Sequence, residues 1–148
     1  VLILGSGALE SDLRAQVARL RLANVVRFCG WVDDPGRWVA GAAVQACPSR
    51  DEAFSQTAVL AMGLGVPVVG TRVDGFPATL ADRRGILVSP EDPDALAHAL
   101  EQVLDRRLWP DTSAARVWAE QFAIERVVAV YEQTYHELRQ APTPELAS

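Results

Sequence analysis

The sequence predicts an α/β fold built as a doubly wound parallel sheet, on three observations. Short apolar runs alternate with helix-period segments, the pattern of parallel strands joined by crossover helices. The 148 residues suit one domain, and a domain of that size buries about 68–70% of its unfolded surface without disulfide or metal staples. With 49% hydrophobic and 22% charged residues, the composition is globular rather than disordered.

The elements follow in order. Residues 1–4 are an apolar run that reads as a buried strand, with Gly5-Ser6-Gly7 as its turn. A helix is expected over residues 9–22, with Leu13, Val17 and Leu20 at helical spacing and Asn24 as its breaker. Residues 25–28 read as a second strand ending at Gly30-Trp31, and Asp33-Asp34-Pro35-Gly36 as a turn. A short helix over 37–42 and a strand over 43–47, stopped by Pro48, come next.

Residues 49–54 form a loop. Ser55 is placed to cap a helix over 56–64, which Gly65 ends. That helix is apolar almost all round and is expected to be buried against a sheet. Residues 66–70 form a strand that tolerates Pro67 near its start. Asp74-Gly75-Phe76-Pro77 is a turn whose proline opens a short helix, and 85–89 a fifth strand. Helices are expected over 93–106, 112–122 and 124–138, the last carrying Val127, Val128, Tyr131 and Tyr135 at helical spacing. The folded domain is expected over residues 1–139, with 140–148 a disordered tail. The chain opens inside an apolar strand, which suggests a segment of a longer protein.

Charge and residue usage exclude several functions. The net charge of −5 disfavours a nucleic-acid partner, because phosphate neutralisation needs a basic surface. No apolar run reaches the roughly 18 residues of a membrane span. All 14 basic residues are Arg, so this chain holds neither a P-loop lysine nor a Schiff-base lysine. Cys29 and Cys47 sit in apolar surroundings and read as buried thiols of a reducing, cytoplasmic compartment. His98 and His136 lack metal-ligand spacing. Trp38, Trp109 and Trp118 read as core or domain-interface aromatics; Trp31 alone follows a strand at the ligand edge.

In doubly wound sheets ligands bind beyond the carboxyl ends of the strands. The loops to watch are therefore 5–7, 30–33, 49–57 and 71–76. Gly5-Ser6-Gly7 is half of a dinucleotide fingerprint, but the third glycine position holds Glu10, whose carboxylate opposes a pyrophosphate. An NAD-type site is rejected there. The stretch Ser49–Thr57 is richer: free amides at Gln56, Thr57 and Ala58 make a positive helix end suited to a diphosphate. Ser55 reads as a plain cap or as a phosphate donor, and the cap alone is sufficient and the commoner role for an isolated Ser. Glu52, just before that helix, can accept from sugar hydroxyls or simply be solvated.

Glu52-x-Phe54 … Ala61-Met62-x-x-Gly65-x-Pro67-Val68-Val69-Gly70-Thr71 resembles the signature of retaining GT-B glycosyltransferases of the family 4 type. So do Asn24-Val25-x-x-Phe28-x-Gly30, Pro48-Ser49, Asp74-Gly75-x-Pro77 and Gly85-x-Leu87-Val88, in order over nearly the whole chain. The resemblance implies a Rossmann-like domain, the C-terminal, donor-binding half of a two-domain GT-B architecture. It implies a nucleotide-diphosphate sugar as donor substrate, with no cofactor and no metal. The pyrophosphate would lie on Ser55, Gln56 and Thr57, the base near Gly30, Trp31 and Val32, and the tight turn of Gly5 and Gly7 along the donor. Glu52 would be catalytic, as the first acid of the E-x7-E motif that touches the donor sugar, with Phe54 beside it.

Departures from the pattern carry expectations too. The second, ribose-binding acid of E-x7-E falls at Leu60, so ribose recognition must differ. The family's usual Gly after Glu-x-Phe is Ser55, and the acid after the Gly-Gly turn falls at Ala78. Arg50 and Arg72 are local substitutes for the family's phosphate-binding cations. A saccharide or lipid-linked acceptor would meet a missing N-terminal domain, so the segment alone is expected to be inactive. The full-length protein would be cytoplasmic, with peripheral attachment to the inner membrane face left open. Two alternatives remain: a non-catalytic nucleotide-sugar-binding domain, and a nucleotide-sugar epimerase.

Overall fold

The computed structural model describes residues 1–140. The chain falls into two compact units, one of residues 1–38 and one beginning at Val39. Every strand pairing is parallel, as the alternating pattern predicts. The hydrogen bonds form two sheets rather than one ladder.

In the first unit, β1 (Leu2–Leu4) pairs with β2 (Arg27–Gly30), and α1 (Glu10–Arg19) connects them. The second strand starts two residues later than expected. Val25 and Val26 both donate their N–H to the Leu22 carbonyl, so pairing begins only where Arg27 N–H reaches the Val1 carbonyl. Residues 1–4 are not a buried strand within this unit: Val1 and Leu2 are exposed, Ile3 and Leu4 half-buried. A two-stranded sheet leaves one side of β1 unpaired. Helix α1 ends before Asn24. Arg21 takes the left-handed conformation (φ 58°), with Arg21 N–H on Ala18 O and Leu22 N–H on Val17 O, a Schellman termination. Helix α2 (Pro35–Ala40) starts at the proline, earlier than expected, with Asp34 Oδ1 accepting from Arg37 N–H at 3.3 Å.

The second unit is a three-layer sandwich. Strands β3 (Gln45–Cys47), β4 (Val68–Thr71) and β5 (Ile86–Val88) lie in the order β3-β4-β5. The central strand is buried along its whole length, and its side chains alternate between two cores. Val68 packs with Met62, Phe76, Leu80 and the small residues of α3 (Gln56–Gly63) and α6 (Thr112–Ala119). Val69 faces the other way, with Val88 and with Ala99 and Val103 of α5 (Pro93–Leu104). Short helix α4 (Phe76–Thr79) opens with Pro77 in its first turn, as expected. A 3-10 turn over Glu120–Phe122 replaces the end of the helix expected to reach residue 122, and α7 (Ile124–Gln140) follows.

Helix α3 ends in a Schellman motif at Gly65: Gly65 N–H binds Met62 O and Val66 N–H binds Ala61 O. That use of the Val66 amide delays β4 to Val68. Helix α5 stops at Leu104 in the same way, with Arg106 left-handed. Gln140 belongs to α7 rather than to a tail, and the rest of the expected tail, 141–148, lies outside the described residues. Helix α7 buries none of its residues. Of the expected buried thiols, Cys47 is buried and Cys29 half-buried.

Met62 has no exposed surface, whereas Leu104 is 58% exposed. Met62→Ala should therefore lower unfolding free energy by about 2–5 kcal/mol, while Leu104→Ala stays within about 0.5 kcal/mol. Urea denaturation of the two variants checks this.

Candidate functional site

In the second unit, β3 and β4 deliver their carboxyl ends to the loop 48–54. Thr71, at the end of β4, is buried, and its hydroxyl donates to the Ser49 carbonyl at 2.5 Å. Ser49 Oγ in turn donates to Glu52 Oε2 at 3.4 Å. The turn after β4 holds the same loop by its backbone. Glu52 N–H donates to Asp74 Oδ2 at 3.1 Å, and Gly75 N–H donates to the Glu52 carbonyl at 3.0 Å. A Cβ at position 75 would sit 2.0 Å from the Ala53 carbonyl oxygen, so only glycine fits there. Glu52 is thereby fixed, half-buried, at the mouth of the strand ends.

Ser55 is extended (φ −84°, ψ 98°) and caps α3, its Oγ accepting from Ala58 N–H at 3.4 Å. Ser55 is buried and shares a 3.2 Å hydroxyl contact with Thr57. Of the three amides expected to be free, the cap engages Ala58. Among the described residues, the N–H groups of Gln56 and Thr57 have no acceptor, and both residues are exposed. The positive end of α3 thus presents two donors next to Glu52. Burial pushes the neighbouring Cys47 thiol up, so it stays protonated at neutral pH; the Thr57, Gln45 and Ser55 side chains oppose this only in part.

The other expected site residues are placed as follows. Phe54 packs at a tilt against Phe122 (5.0 Å between ring centroids), which packs at a tilt against Trp118 (4.8 Å), anchoring the loop to the 3-10 turn. Leu60 packs against the core. Arg50 pairs with Glu91 at 3.3 Å while 81% of its side chain stays exposed. Arg72 is exposed and forms no ion pair among the described residues. Arg84, which was not among the expected residues, is committed to structure, donating to the Thr79 and Ala78 carbonyls and lying over Trp118. A cleft of about 320 Å³ opens beside Thr71, between Pro48, Arg50, Ser89 and Leu96.

The first unit carries the remaining expected residues at the ends of its own strands. Gly5 and Gly30 have positive φ (97° and 67°), and Gly5 N–H donates to Gly30 O at 2.7 Å. Open space lies over Gly5, Gly7 and Gly30. Trp31 is 82% exposed just past β2, and Val32 is half-buried. Glu10, at the position that excludes an NAD-type turn, begins α1 and pairs with Arg14 at 2.7 Å. Among the described residues there is no group of three His, Cys, Asp or Glu side chains able to hold a metal. Nor is any helix among them long and apolar enough to cross a membrane.

Sequence reasoning missed the hold of Asp74 on Glu52. Asp74 was visible as a turn residue in a ligand-edge loop and as part of a motif, but which loop a turn touches is a tertiary fact. Thr71 was visible as the end of a motif, but its bond to Ser49 was not.

Residues 1–106 match the family model for glycosyl transferases group 1. The chain is similar to D-inositol 3-phosphate glycosyltransferase 2 of Catenulispora acidiphila, 39% identical over 105 residues, 68% of this chain and 25% of that one. It is also similar to the lipopolysaccharide core biosynthesis mannosyltransferase LpsB of Rhizobium meliloti, 31% identical over 137 residues, 84% of this chain and 38% of that one. Among solved structures it resembles HepE of Anabaena in complex with UDP, with a TM-score of 0.80 and 26% identity over 95% of this chain and 40% of that one. The chain thus spans between a quarter and two fifths of the length of these proteins.

Two measurements test the local physics. Ser55→Ala should cost about 1 kcal/mol in urea denaturation, the usual loss of an N-cap. Because burial raises the Cys47 thiol in the folded state, the unfolded chain ionises first. Stability should therefore fall as pH rises past the ordinary thiol value of 9.0, and Cys47→Ser should flatten that fall.

Proposed function

The chain belongs to the glycosyl transferases group 1 family, and on that premise we propose that it is the donor-binding part of a retaining, family 4 type glycosyltransferase. It holds a nucleotide-diphosphate sugar whose glycosyl group passes to a saccharide or lipid-linked acceptor on another part of the enzyme. The observation that carries this reading is that Glu52 is tied down in the loop leading directly into the helix end where the Gln56 and Thr57 amides are uncapped. The HepE structure with UDP, at 26% identity, supports a uridine nucleotide as one donor class.

The chemistry follows from the charges. Transfer breaks the bond between the anomeric carbon and the diphosphate oxygen and forms one to the acceptor hydroxyl oxygen, whose proton passes to the released diphosphate. Negative charge builds on the leaving diphosphate, where the Gln56 and Thr57 N–H groups and the dipole of α3 stabilise it. With no lysine in the chain, any added cation from this half is an arginine. Arg72 is without an ion-pair partner among the described residues, while Arg50 must first leave Glu91. Glu52 accepts from the donor sugar's hydroxyls, orienting its anomeric carbon, and Ser49 holds the carboxylate.

One observation favours a second reading. Leu60 stands at the ribose-binding acid of the family pattern, and its side chain is spent on the core. A domain that binds nucleotide sugars without transferring them fits that loss.

In an enzyme that carries this chain together with an acceptor half, Glu52→Ala should cut turnover of a nucleotide sugar at least about tenfold. Near-native turnover would remove Glu52 from its role. Tight calorimetric binding of a nucleotide sugar with no transfer to any acceptor would favour the second reading.

A further inference from the structure

Asp74 is an odd residue for its place. Its φ is +37°, in the left-handed region that glycine enters freely and other residues enter at a cost, Asp and Asn less than most. The turn itself would be easier with glycine. What Asp adds is a carboxylate, and that carboxylate is engaged 22 residues back along the chain, accepting Glu52 N–H at 3.1 Å. The next residue completes a two-point hold, Gly75 N–H donating to the Glu52 carbonyl at 3.0 Å. The peptide groups on both sides of Glu52 Cα are thus tied to one turn. The side chain is left to reach Ser49 and the mouth of the site.

We infer that Asp74 is a positioning residue that fixes the direction of the Glu52 carboxylate toward the donor sugar, an inference that rests on the donor-binding reading above. The fold does not need this bond. Asp74 is exposed, the loop is independently anchored by Phe54 on Phe122, and Thr71 holds Ser49. Loss of the Asp74 carboxylate frees the Glu52 amide and lets the peptide before Glu52 rotate, while the diphosphate donors on α3 stay in place.

Two substitutions separate the effects. Asp74→Gly keeps the backbone conformation and removes the acceptor; Asp74→Asn keeps an acceptor oxygen and the tolerance for positive φ. Hydrogen exchange on the chain should show the Glu52 amide exchanging at least about tenfold faster in Asp74→Gly, the loss of one hydrogen bond, and near the native rate in Asp74→Asn. Calorimetry with UDP-glucose, GDP-mannose and the parent diphosphates gives the functional readout. In Asp74→Gly the sugar nucleotide that binds the native chain should weaken about tenfold, with its diphosphate within about twofold, and Asp74→Asn should restore it. Unchanged exchange at Glu52 overturns the hold. Faster exchange with unchanged sugar-nucleotide affinity, or equal weakening of sugar nucleotide and diphosphate, overturns the positioning role. A native chain that binds none of these ligands overturns the donor-binding reading instead, and the exchange result then stands by itself.

Discussion

A helix that is apolar beyond its first two residues governs the second unit. Ala58, Ala61 and Met62 of α3 are fully buried, and Ala115 and Ala119 of α6 lie in the same core. The facing residues are small, and a Cβ at Gly63 would come within 3.8 Å of the Ala119 Cβ, so the two helices lie close together. On the sheet side, Val66 and Val68 share the same cluster. Such a helix cannot rotate or slide without exposing apolar surface, at roughly 25 cal/mol per Å². Its first turn is therefore fixed, and with it the two amides that face the strand ends.

The loop before that helix has no such burial and is held by polar bonds instead. Thr71 fixes Ser49, Asp74 and Gly75 fix Glu52, and Phe54 packs at a tilt against Phe122. These anchors come from β4, from the turn after it and from the 3-10 turn, three places far apart in sequence. Rigid scaffold and tied loop together put an acid beside a positive helix end. That pairing suits a sugar linked to a diphosphate, because the hydroxyls need acceptors and the phosphates need donors.

The elements were legible where periodicity and punctuation agreed. The cap at Ser55, the stop at Gly65 and the proline opening of α4 and α5 follow from local chemistry. Boundaries slipped where backbone groups found unexpected partners. Arg21 and Arg106 end helices in a left-handed conformation usual for glycine, so no residue type announced those stops. Val25 and Val26 look like strand residues, but their amides close a turn on Leu22. For the site, Glu52, Ser55, Gln56 and Thr57 stood out because they precede or open a buried helix. Asp74 was noted only within a turn and a motif, and its hold on Glu52 was not legible, because its partner is a backbone amide and backbone amides carry no sequence signal.

By itself the sequence determined the class of fold, the parallel sense of the strands and the helix end that faces them, since each depends on spacing, capping and apolar pattern within a few residues. It also determined that any cation offered by this chain is an arginine. The tertiary structure decided which arginines are committed: Arg84 to two carbonyls and an indole ring, and Arg50 to Glu91. It also decided that Gly75 must lack a side chain, because the Ala53 carbonyl occupies that space. The physical reason is the same throughout. Local pattern sets what a segment can become, whereas a hydrogen bond or a close approach between distant segments exists only once packing has brought them together.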